Sequence, residues 1–343
     1  MRTALTIVYV ANADSREIYV FELAEKDGSS KLVEIVAVGG TVMPMAISPD
    51  RKHLFASLRS EPYSVSNFAM DPNSGRLRLL ETVPLVDNMA HITTDRFGRY
   101  LLGASYFGNK IAINVITRGG RIDPKPLALI PTGKNAHYIA PDLTNKFLFV
   151  TNLGDDAILQ YRFDASSGAI SPNEPPAVVT RKGAGPRHLA FHPNGRLVFG
   201  SNELDGTVSS YWLEFTGTLT LRGSVSIIPP GFTGGAPAAA QLHLTPDGRF
   251  LYASERTSST LAAFGIDSDN GALTLIGNHS TEAQPRGFNI DPKGKYLLAA
   301  GQKSNRLTTY AINQTTGKLR KLSHLEVGQN PNWIEIVSLP APA

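Results

Sequence analysis

An arginine and a histidine, Arg187 and His188, open an otherwise apolar stretch in GAGPRHLAFHPNG, Gly183 to Gly195. "LAF" reads as a strand bound for a core and "HPNG" as a tight turn. A cation and an imidazole at the entrance to that strand therefore need a purpose. They have company. A second Pro-Arg pair, Pro285 and Arg286, precedes another such strand, and His91, His137 and His243 stand at three further entrances. A second set closes the strands that come next: Asn12, Asn152, Asn202 with Glu203, Glu255 with Arg256, and Gln302 with Lys303. Taken singly, each amide or acid reads as a turn or capping group, and each arginine or histidine as the structural partner of a neighbour. Converging, they would offer guanidinium forks for a small anion, with imidazole and carboxylate as acid–base groups.

Such convergence depends on the elements that carry these residues. Strand–turn–strand stretches begin at Val8, Leu54, Leu101, Leu148, Val198, Leu251 and Leu297. A strand-only repeat of about 45 to 50 residues is the pattern of propeller blades. Before the last six stretches runs a short strand ending in a tight turn, as in AISPDRKH, AFHPNGRL and NIDPKGKY. After most of them comes an Asp/Asn/Gly turn and an edge strand, as in DPNSGRLRLL and DSDNGALTLI. The prediction is a single all-β domain over residues 1–343: a seven-bladed β-propeller with four antiparallel strands per blade. The first blade lacks its innermost strand, which PNWIEIVS at Pro331 to Ser338 can supply, so the ring closes by pairing the N- and C-terminal strands. In a propeller the inner strands line an axial channel. The polar entrances then ring its mouth, a concave and rigid place for a small-molecule site.

Composition narrows the function classes. The chain is 42% hydrophobic and 18% charged with a net charge of +4, and its lysines and arginines form no run. No nucleic-acid partner and no membrane partner are expected. The sequence has no cysteine, so thiolate chemistry is out. The N-terminal MRTALTIVYVANAD reads as a strand rather than a leader, and a cytoplasmic location is expected. No G-x-S-x-G elbow, phosphate-binding glycine loop or dinucleotide fingerprint occurs. A metal site from Glu203, Glu255, Asn152 and Asn202 is a weaker reading, because two arginines are expected beside it. GFTGGAPAAA, Gly231 to Ala240, is expected to be a flexible loop over the channel.

GAGPRHLAFHPNG, SNEL, LHLTPDGRFLYASERT, TEAQPRGFNIDPKGKYLLAAGQKSN and VGQNPNWI resemble the seven-bladed β-propeller lactonase family. Its members include bacterial 6-phosphogluconolactonases and fungal 3-carboxy-cis,cis-muconate cyclases. The resemblance runs the whole chain and is strongest from about Gly183 onward. It implies lactone chemistry on an anionic substrate with no cofactor and no required metal, and it maps the catalytic set onto His137, Arg187, Glu203 and Arg286. Within that set His137 is the first choice as general base. Glu203 would orient it, or act as acid or base itself if burial raises its pKa. Either arginine can bind the substrate's phosphate or carboxylate, or face the carbonyl oxygen. His188, His243, Gln302 and Lys303 are expected to bind substrate. Hydrolysis of 6-phosphogluconolactone is the leading expectation. A lactonase or cycloisomerase for a carboxymuconolactone or a sugar-acid lactone stays open, as does a binding propeller without turnover. A monomer or weak homo-oligomer is expected.

Overall fold

A computed structural model describes residues 5–339. They form seven four-stranded antiparallel sheets arranged as a closed ring, the expected seven-bladed propeller. Blade 1 holds the N-terminal strands Leu5–Asn12, Glu17–Leu23 and Ser30–Ala37, and takes its innermost strand, Pro331–Leu339, from the other end of the chain. Val8 lies opposite Ile336 and Tyr9 opposite Glu335 in that pairing. The seam of the ring is thus held by a hydrogen-bonded ladder, which leaves only outer edges unpaired. The inner strands of blades 2 to 7 are Val42–Ile47, Met89–Thr94, Ala136–Pro141, Pro186–Phe191, Ala239–Leu244 and Pro285–Ile290.

Burial explains why the repeat reads as it does. The second strand of a blade is covered on both faces by its neighbours, so Phe147–Asn152 is buried almost throughout and carries a nearly unbroken apolar run. The outermost strands, such as Ser30–Ala37, are largely open to solvent and carry charge. Between blades the core is apolar: Ile7, Tyr9 and Ala11 of blade 1 pack with Leu54, Ala56 and Phe68 of blade 2. A fully buried side chain of this size stabilises the fold by roughly 1.5–3 kcal/mol. Tyrosine hydroxyls pin one blade to the next, with Tyr9 Oη donating to the Gly75 carbonyl at 2.8 Å and Tyr252 Oη to that of Gly317 at 2.7 Å.

The turn after each inner strand of blades 2 to 7 is built by its Asp, Ser, Thr or His. Asp142 Oδ1 accepts the amides of Lys146 and Phe147, both at 3.0 Å, and Asp291 Oδ1 accepts that of Tyr296 at 2.6 Å. These side chains replace backbone partners that the turn removes, and so fix where the next strand starts.

Candidate active site

Each inner strand breaks its ladder near its start. Pro186 pairs with Asn202 and His188 with Ser201, so Arg187 falls in a bulge between them. The same shift skips His137 in blade 4, Arg286 in blade 7 and Ala90 in blade 3. A bulged residue is released from the alternation of its strand and re-aimed. Repetition of the bulge therefore delivers one side chain per blade to a common tier of the channel mouth. A second tier comes from the first residue after each second strand: Arg59 after His53–Leu58, Tyr106 after Tyr100–Ser105, Glu203 after Leu197–Asn202 and Arg256 after Phe250–Glu255.

The two tiers enclose a cavity of about 220 Å³ lined by Arg59, Ala90, Tyr106, His137, Glu203 and Arg286, with Phe107 at its rim. Glu203 is the hub of its charges. Its Oε2 accepts from Arg187 Nε at 2.7 Å and its Oε1 from Arg256 Nη2 at 2.8 Å. Arg187 lies behind Glu203 and is 1% exposed, the largest fully buried side chain among the described residues. Burial alone would push the Glu203 carboxyl up. The Arg187 and Arg256 charges outweigh it, and the group lies below its ordinary range. Arg187 is itself pushed down to about 10, by burial first, against the pull of Glu203.

Arg286 makes no ion pair or side-chain hydrogen bond among the described residues. Burial, then the charges of Arg187, Arg256 and Arg59, push its guanidinium down from the ordinary value, with only Glu203 opposing. A guanidinium keeps its proton in proteins, so this strain describes excess positive potential, which an anion would relieve. His137 lies in the same field. Its Nδ1 has no partner, and burial followed by Arg187 and Arg286 holds the imidazole well below its usual value, hence neutral.

The model of the Lactonase, 7-bladed beta-propeller family matches residues 5–336. The chain belongs to that family. It is 40% identical to a 6-phosphogluconolactonase of Serratia proteamaculans, over 97% of this chain and 99% of that protein. It is 38% identical to a 6-phosphogluconolactonase of Pectobacterium carotovorum over 97% and 99% of the two chains. Among solved structures, the periplasmic gluconolactonase PpgL of Pseudomonas aeruginosa superposes with a TM-score of 0.90 at 27% identity, over 98% of this chain and 100% of that one.

Within this lactonase scaffold the four residues mapped by resemblance come together, three lining the cavity and Arg187 supporting it. Two details differ from the sequence reading. Glu203 is lowered rather than raised in pKa and makes no hydrogen bond to His137 among the described residues, its oxygens being taken by two guanidiniums. The residues expected to bind substrate also fall outside the cavity. His188 and His243 lie one and three residues deeper along the inner strands than the bulge tier, and both line a separate cavity of about 460 Å³ toward the opposite mouth. His188 forms part of the aromatic floor between the two cavities, with ring centroids 5.1 Å from His137 and 5.5 Å from His91. Gln302 donates to Asn330 Oδ1 at 2.8 Å, and Lys303 is exposed beyond the rim. Glu255 accepts the amides of Ala238 and Thr257, and no group of three or more His, Asp or Glu among the described residues is placed to hold a metal ion. The Gly231–Ala240 segment is tied down at its end: Arg256 Nε donates to the Ala238 carbonyl at 3.0 Å and Thr257 Oγ1 to that of Ala236 at 2.8 Å.

Arg59 was not legible as a site residue in the sequence, although its register carried the signal. It follows its second strand as Glu203 and Arg256 follow theirs.

Proposed function

We propose that the chain hydrolyses 6-phosphogluconolactone to 6-phosphogluconate in the cytoplasm, as a step of the oxidative pentose phosphate pathway. The supporting observation is the meeting, in one sugar-sized cavity, of a neutral unpartnered imidazole with an arginine that has no counter-ion.

In this reading His137 takes a proton from the attacking water as the new bond to the lactone carbonyl carbon forms. The imidazolium so produced lies close to arginines and is disfavoured there. The proton therefore passes to the ring oxygen as the ester bond breaks, leaving the acyclic hydroxy acid, whose carboxyl then ionises. Arg286 faces the carbonyl oxygen and stabilises the negative charge that develops on it. Glu203 stays ionised and holds Arg187 and Arg256, so that the cavity keeps a fixed positive field without collapsing on itself. The sugar-phosphate reading is supported further by the names of the relatives at about 40% identity.

The test is hydrolysis of freshly generated 6-phosphogluconolactone, corrected for spontaneous opening, by wild type and by Arg286→Ala. Enzymatic turnover that is lost in the variant supports the reading. Turnover at the spontaneous rate by the folded wild-type protein refutes it.

A further inference from the structure

We propose that Arg59 recognises the phosphate group of the substrate and thereby sets preference for a phosphorylated over an unphosphorylated lactone. This rests on the lactonase reading above and adds to it the residue that chooses between two sugar lactones.

The cavity holds two kinds of arginine contact. Those of Arg187 and Arg256 include an ion pair with Glu203, a carboxylate, Arg256 Nε also donating to the Ala238 carbonyl. Those of Arg59 are to neutral acceptors: Nε donates to Asn88 Oδ1, and Nη1 approaches Met43 Sδ at 3.1 Å. These contacts fix the guanidinium plane and leave its charge uncompensated. Nη2 makes no hydrogen bond among the described residues. A held, unpaired fork loses little side-chain freedom when it meets an oxyanion, and phosphate oxygens fit its geometry. The charge of Arg59 reaches Arg286, and neither arginine is ion-paired with a carboxylate among the described residues.

Position in the ring supplies the second argument. Arg59 belongs to blade 2, whereas His137 belongs to blade 4 and Glu203 to blade 5. In a seven-membered ring blade 5 is among those farthest from blade 2, so Arg59 and Glu203 approach the cavity from opposite sides. A 6-phosphosugar lactone has the same polarity. Its carbonyl and its phosphate sit at opposite ends of the carbon chain, so a carbonyl near His137 and Arg286 sends the phosphate toward blade 2.

The experiment compares kcat/KM on 6-phosphogluconolactone and on glucono-lactone for wild type, Arg59→Met and Arg59→Lys, with thermal melts to establish folding. Calorimetric binding of 6-phosphogluconate and of gluconate to the same proteins supplies a readout that needs no turnover. A charged hydrogen bond is worth about 1.5–3 kcal/mol. The ratio of the two kcat/KM values should therefore fall roughly 10- to 100-fold in Arg59→Met, chiefly through KM, and less in Arg59→Lys. The preference for binding 6-phosphogluconate should fall in parallel. A wild-type preference that survives intact in folded Arg59→Met overturns the assignment, as does an equal loss on both substrates. Wild type that turns over neither lactone refutes the lactonase reading instead, and the binding arm then still decides whether Arg59 selects the phosphate.

Discussion

Arg187 Nε and Glu203 Oε2 stand 2.7 Å apart, with the arginine buried behind the acid rather than lining the cavity. The pair belongs to one blade, and Arg256 of the next blade closes on the other carboxylate oxygen at 2.8 Å. A single acid thus sets the position of two cations, and the cavity takes its charge from the arginines left over.

That arrangement makes Glu203 a stability element. Glu203→Gln would leave the buried guanidinium of Arg187 without its counter-charge, a type of change that costs about 3–5 kcal/mol. Chemical denaturation of the variant should show a loss of that order. The pH dependence follows from the sign of the shift. The folded carboxyl lies below its ordinary value near 4.5, so its contribution is present above that value and is lost as pH falls through the folded one. Wild type should accordingly lose stability below about pH 4.5 more steeply than Glu203→Gln.

Catalysis should have an unusual acid limb. Because His137 is held neutral well below its ordinary value of 6.5, kcat/KM on unphosphorylated glucono-lactone, which brings no titrating phosphate of its own, should show no inflection there and should stay level from pH 6 to 8. His137→Gln should lower kcat about 10²- to 10⁴-fold. Stopped-flow hydrolysis with a pH indicator reads both. An inflection at pH 6.5 would place the working base elsewhere.

The opposite mouth carries a separate titration. Glu335 accepts a hydrogen bond from Trp333 Nε1 at 2.8 Å, and burial raises its carboxyl to about 7. A folded pKa above the unfolded one means that the native state binds the extra proton. Stability therefore declines as pH rises from about 4.5 to about 7, and the deficit persists above that. Glu335→Gln keeps the acceptor and removes the charge. It should be more stable than wild type at pH 8, by up to about 3 kcal/mol, with the difference vanishing near pH 4. Thermal melts across that range check it.

Gly287 follows Arg286 where its ring equivalents are His188, Tyr138 and His91. A Cβ there would sit 2.4 Å from the carbonyl oxygen of Asn332, a backbone atom with nowhere to go. Gly287→Ala should push the inner strand of blade 7 off that of blade 1, shift Arg286, and lower both Tm and kcat/KM. Gly277→Ala, where a Cβ meets nothing within 4 Å, is the matched control and should change neither.

The architecture was legible because a strand buried on both faces must read as an apolar run, and because seven such runs recur from Val8 to Leu297. The closure was legible because one blade was short of a strand and PNWIEIVS had no blade of its own. The site was only partly so. Arg187, His137 and Arg286 share a position because each occupies a bulge, and a bulge leaves no mark in composition or alternation. Without it, His188 and Arg187 appear equally close to the mouth, whereas the fold sends them to different levels of the channel. The pairing of Arg187 with Glu203 was hidden for a related reason: the bulge turns Arg187 onto the acid at the end of the neighbouring strand, whose other oxygen takes Arg256 of the next blade. Arg59 was hidden because the residues around it in ASLRSEPY look like an ordinary turn.

In the proposed reading one cavity, walled by His137, Glu203, Arg286 and Arg59, opens a lactone. The measurement that tests it most directly is kcat/KM on fresh 6-phosphogluconolactone for wild type and for Arg286→Ala, with folding of both verified by thermal melts. Wild type should turn the lactone over well above the spontaneous rate, and the variant should lose about 10²- to 10³-fold. Equal rates for the two proteins would contradict it.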